Sequence, residues 1–146
     1  MKVDFYHLTR QPLDAVLPRI AEKVLADGGR LEIVAGDAEQ RAAIDRFLWT
    51  WSAESFLPHA IAGAMDDARQ PILIRAAIAA PDPAGHVAIA DGHWRDEALG
   101  FARAFHFFDD ATIAESRAAW KALATRDGVE RRYWKQNAHG RWEQAA

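Results

Sequence analysis

Hydrophobic periods of two and 3.6 alternate twice within the opening third of the chain, and that order of elements narrows the fold more than any other feature. KVDFYHL sets Val3, Phe5 and His7 against Asp4 and Tyr6 and reads as a strand. QPLDAVLPRIAEKVLADGG repeats Leu13, Val16, Leu17, Ile20 and Val24 at helical spacing. Pro12 suits its first turn, Asp14 its positive end, and Gly28 and Gly29 stop it. Pro18 lies early enough in that helix to be tolerated with a kink. RLEIVAG gives a second strand around Ile33 and Val34. DAEQRAAIDRFLWTW gives a second helix, with Asp37 and Gln40 in capping-box spacing and Ile44, Phe47, Leu48 and Trp51 on one face. Strand, helix, strand, helix implies right-handed crossovers and a parallel sheet.

Further along, PILIRAA and HVAIADG are short strand candidates separated by the turn-rich APDPAG. DEALGFARAF reads as a helix and FHFF as a strand. DDATIAESRAAWKALATRDG is a longer helix capped by Asp109 or Asp110 and stopped by Gly128. VERRYWKQNAHGRWE forms two strands around a turn that needs positive φ at Gly140. The expected fold class is α/β: a Rossmann-like three-layer arrangement, its sheet mostly parallel, with helices on both faces and a C-terminal antiparallel hairpin. No repeat or linker interrupts residues 1–146, so a single domain is expected.

Several classes of chemistry lack their residues. A net charge of −3 offers no long-range attraction to polyphosphate. The absence of cysteine removes disulfides, thiol nucleophiles and thiolate metal sites. The opening residues carry Asp4 and Asp14 within no uninterrupted apolar stretch, and nothing later is long enough to span a bilayer, so the cytoplasm is the expected compartment. HLTRQP after the first strand lacks the glycines that let a backbone approach a pyrophosphate, and no GxxxxGK[ST] occurs. Gly36, in the AGD turn, reads as a tight turn rather than a phosphate loop. The six histidines are not spaced as a metal set, and Ser52, Ser55 and Ser116 lack a nucleophile elbow. His93 with Asp91 and His59 with Glu54 are the pairs closest to an acid–base dyad. No cofactor or metal is expected.

What remains is an excess of large aromatics, the tryptophans at 49, 51, 94, 120, 134 and 142. Tryptophan and arginine most often dominate protein interfaces. Trp49 and Trp51 project to different sides of one helix end, so at least one faces outward or into a partner.

Leu48-Trp49, four intervening residues and then Glu54-Ser55-Phe56-Leu57-Pro58-His59 resembles the central motif of the chi subunit of bacterial DNA polymerase III holoenzyme. The likeness continues through the Phe5-Tyr6 strand, the IVAGD turn, the FDD segment, Arg117-Ala118-Ala119-Trp120-Lys121, Tyr133-Trp134-Lys135-Gln136 and Gly140-Arg141-Trp142. The resemblance implies a non-catalytic accessory subunit of DNA replication with a Rossmann-like fold and no bound nucleotide. It implies two protein partners. One is the psi subunit of the clamp-loader complex, facing Trp49, Phe56, Leu57 and Pro58. The other is the acidic, phenylalanine-ended C-terminal tail of single-stranded DNA-binding protein, facing Arg117, Trp120, Lys121 and Ile113, with Phe107 of the FHFF strand in the apolar wall. DNA is then contacted only indirectly.

On periodicity alone, Ile113, Trp120 and Leu123 form a core stripe and Arg117 is solvated. The same spacing also places a cation and an indole side by side, which suits a carboxylate next to an aromatic ring. The resemblance implies a second basic residue one turn before Arg117; Ile113 stands there instead, leaving Lys121, Arg126 or Arg132 to supply that charge. An enzyme on the same layout instead predicts a polar pocket at the carboxyl ends of the strands, around Thr9 and Gly36. Direct binding of single-stranded DNA requires a basic groove alongside the rings. The net charge argues against that groove.

Overall fold

A computed structural model describes residues 1–51, 57–63 and 70–146. Eight strands form one sheet in the order β3-β4-β2-β5-β6-β1-β7-β8. They are β1 (Lys2–His7), β2 (Leu31–Val34), β3 (His59–Ile61), β4 (Ile72–Arg75), β5 (Asp82–Ile89), β6 (Phe101–Phe108), β7 (Glu130–Gln136) and β8 (Trp142–Gln144). Every neighbouring pair is parallel except β7 with β8, whose antiparallel turn places Gly140 at φ 76°. The class is α/β, as the residue pattern predicts.

Among the described residues three α-helices cover the sheet: α1 (Leu13–Ala26), α2 (Ala38–Thr50) and α3 (Ile113–Leu123). Leu17, Ala21, Ile44 and Leu48 of α1 and α2 pack with Ile33, Phe105 and Phe107 on one face. Ala119 and Leu123 of α3 pack with Val3, Phe5, Val87, Ile89 and Phe108 on the other. A strand with both faces covered loses its polar alternation, and in β6 only Arg103 and His106 interrupt the apolar residues. Pro18 is buried inside α1. Asp37 caps α2 by accepting from the Glu39 backbone N–H at 3.2 Å. The Gln40 amide, expected to complete a capping box, instead donates to the Ala90 carbonyl at 3.0 Å and ties α2 to the end of β5.

Two local expectations give way, and one strand was not foreseen. DEALGFARAF is not a helix: Asp96–Gly100 forms a 3-10 turn and β6 starts at Phe101. β5 starts at Asp82, inside the segment read as a turn, and its register with β6 shifts between Asp82 and His86. A Cβ at Gly85 would lie 2.3 Å from the Asp82 carboxylate, so the Asp82 side chain would have to move to admit one. β3 is too short to show a period and exists through its pairing with β4.

Candidate functional site

Asp109 begins the α3 region by accepting from the Ala111 N–H at 3.0 Å across a short 3-10 turn, Asp110–Thr112. α3 then sets Ser116, Ala119 and Leu123 against the sheet. Ser116 meets the Nε2 of buried His106 at 2.8 Å. Burial, the dominant effect, lowers the His106 pKa to about 3, so the ring is neutral at physiological pH.

Trp120 is half-buried at the next edge of α3. Its ring stands edge-on to Phe5 at 5.4 Å and to Tyr133 at 5.6 Å. The Arg131 guanidinium lies 4.0 Å above the indole centroid, and its Nη1 donates to the Trp120 carbonyl at 2.7 Å. Arg117 and Lys121 are exposed on the same helix, and Ile113 is half-buried against the core. Burial raises the Tyr133 pKa, with the nearby Arg117 charge pulling the other way. The corner between α3 and β7 therefore joins one indole and one phenol ring to Arg131, with Arg117 and Lys121 exposed on the adjoining helix. Such a corner can hold a carboxylate beside an aromatic side chain.

Phe107 is not part of it. It is 1% exposed and packs with α1 and α2, because alternate residues of β6 point to opposite faces. Phe108 is the residue that faces α3. Of the three proposed substitutes for the charge missing at Ile113, Arg126 pairs with Asp96 at 3.2 Å and Arg132 points to the opposite face, where it meets Asp4. Arg131 is the cation that actually reaches Trp120. Period two along ERRYWKQ puts Arg131 and Tyr133 on one face and Arg132 and Trp134 on the other, so the signal was present in the sequence.

The end of α2 carries the second candidate face. Trp49 is 52% exposed, with its ring 4.5 Å from the His59 ring. His59 is buried, with Nε2 3.1 Å from both the backbone and the side-chain oxygen of Asp45. Trp51 turns the other way, half-buried beneath Arg19 at 5.8 Å. Leu57 is 2% exposed and belongs to the core rather than to an outward face, whereas Pro58 is half-buried. Phe56 and the Glu54 partner suggested for His59 lie outside the described residues.

A cavity of about 580 Å³ does open at the carboxyl ends of β1, β5 and β6, with Thr9, Gln40, Asp91 and Thr112 in its wall. Beside it, the Gly36 N–H that a phosphate would need already donates to Asp91 Oδ2 at 2.9 Å. Burial alone would raise the Asp91 pKa. Hydrogen bonds from the Arg95 side chain and from the Gly36 and His93 N–H groups outweigh it and lower the pKa to about 2. A fixed carboxylate thus sits where an anion would dock. His93 does not form a dyad with Asp91 through its ring, whose Nδ1 meets Glu115 at 2.6 Å. Among the described residues no group of three or more potential metal ligands clusters. Nor is any helix among them long and apolar enough to cross a membrane.

The family described as DNA polymerase III chi subunit, HolC, matches residues 1–130. The chain belongs to that family. The match takes in Trp49, the whole of α3 and β1 to β6, while most of β7 and all of β8 lie beyond it. A chi subunit of DNA polymerase III from Pseudomonas aeruginosa is 33% identical over 76 residues, 50% of this chain and 52% of the relative. The chain thus spans about half the length of the curated chi relative it matches.

Proposed function

We propose that this chi-family chain is a non-catalytic accessory subunit of the DNA polymerase III holoenzyme. It joins the clamp-loader complex, through psi, to the C-terminal tail of single-stranded DNA-binding protein. The observation that carries this is the corner of α3 and β7, where Arg131 lies over Trp120, Trp120 meets Tyr133, and Arg117 and Lys121 are exposed on the same helix. A peptide ending in an acidic stretch and a phenylalanine brings a ring for the aromatic wall and a carboxylate for a guanidinium. The outward indole of Trp49 beside Pro58, remote from α3 on the opposite helical layer, supplies the surface for psi.

Two separate faces make the roles separable. Trp49→Ala should abolish co-purification with psi while sparing capture of single-stranded DNA-binding protein; Arg117→Ala should do the reverse. Loss of both partners from each variant would overturn the two-face reading.

A further inference from the structure

The face of the sheet under α1 carries a feature that the chain's overall charge conceals. Between α1 and the strands β1, β6, β7 and β8 runs an open groove of about 660 Å³. Six cations line it: Lys2, Arg19, Lys23, Arg103, Arg132 and Arg141. Among the described residues, no aspartate or glutamate lines it. Beneath it, fully buried Asp4 accepts from Nε of Arg103 at 2.8 Å and from Nε of Arg132 at 2.8 Å, so one carboxylate orients two guanidinium groups. The same carboxylate takes the Trp134 indole N–H at 2.9 Å.

The floor is aromatic. Tyr6 and Trp134 lie nearly parallel, 13° apart with centroids at 6.3 Å, and Trp142 stands against Tyr6 at 85° and 5.3 Å. All three rings are half-buried and line the groove. Cations contributed by one helix, three strands and a turn suit an extended polyanion better than a single terminal carboxylate. Flat rings between them suit bases rather than aliphatic side chains.

We propose that this groove binds single-stranded nucleic acid directly, its phosphates on the six cations and its bases against Tyr6, Trp134 and Trp142. This interaction is independent of the protein docking assigned to α3 and Trp49. The net charge of −3 does not oppose it, because Asp4 is the acidic residue tied to the groove's cations and interactions beyond about 10 Å are largely screened at moderate salt.

Fluorescence anisotropy of a labelled oligothymidylate about 15 nucleotides long tests this. Binding should weaken steeply between about 50 and 200 mM salt. Lys23→Ala with Arg141→Ala, both exposed positions, should lower affinity about tenfold and make the logarithmic salt slope shallower by about 1.4, with thermal unfolding unchanged. The proposal fails if the wild-type chain shows no salt-dependent binding or if the double variant binds equally well. It also fails if a duplex of the same length binds as tightly, which removes the stacking role. Displacement by polyglutamate of equal charge at equal concentration would reassign the groove to an acidic protein surface.

Discussion

Replacing Asp4 by asparagine perturbs the most connected polar group of the fold. Its side chain is completely buried, yet it receives Arg103 at 2.7 and 2.8 Å, Arg132 at 2.8 and 3.3 Å and the Trp134 indole at 2.9 Å. Asparagine keeps the shape, removes the charge and turns an NH₂ donor toward guanidinium donors. Breaking a fully buried ion pair costs about 3–5 kcal/mol. The two arginine side chains are 30% and 23% exposed, so water regains part of their solvation and the expected cost falls to about 2–3 kcal/mol. In a domain of this size that corresponds to a melting temperature lower by about 4–12 °C. Urea denaturation gives the free energy, and calorimetry gives the temperature. Arg132→Gln made in the Asp4→Asn background should cost less than in the wild type, because its partner has already gone. An Asp4→Asn chain within about 0.5 kcal/mol of wild type would refute the idea that this carboxylate organises the face.

Leu57→Ala should destabilise by about 2–5 kcal/mol as a core truncation, whereas Trp49→Ala should change stability by less than about 1 kcal/mol; equal losses in denaturation would reverse the assignment of inner and outer residues. His106 predicts a pH dependence. Its folded pKa of about 3 lies below its ordinary value of 6.5, so below that value the unfolded chain takes a proton that the folded chain refuses. Stability from this group is complete above 6.5 and falls by up to about 1.4 kcal/mol per pH unit as pH drops toward 3. Stepped-pH urea denaturation of wild type and His106→Leu should show a flatter dependence for the variant over that window; parallel curves would contradict the buried neutral ring.

The first two helices were readable because each sets one face into the core, and β1 kept its alternation because its second face carries Lys2, Asp4 and Tyr6 rather than aliphatic residues. β6 was not. Phe101, Ala104, Phe105 and Phe108 fall at i, i+3, i+4 and i+7, the spacing of a helix, and a strand buried on both faces provides no polar alternation to break the tie. The outward Trp49 followed from its position beside Trp51 on a helix end. The groove under α1 was unreadable for another reason. Asp4 meets partners 99 and 128 residues away, so only the parallel pairing of β1 with β6 and β7 brings them together. Net charge misled in the same way, since it sums over the whole surface a cationic excess that the fold concentrates in one place. Arg131 lay within reach of pattern reasoning, since the alternation of β7 puts Arg131 and Tyr133, not Arg132, on the α3 side.

The docking of an acidic, phenylalanine-ended peptide at α3 is tested most directly by titration calorimetry of that peptide into wild type and Arg117→Ala. The variant should bind more weakly by about 1–3 kcal/mol, roughly 5- to 150-fold, with the wild-type melting temperature retained. Equal affinities for the two proteins would remove Arg117 from the site and contradict the account.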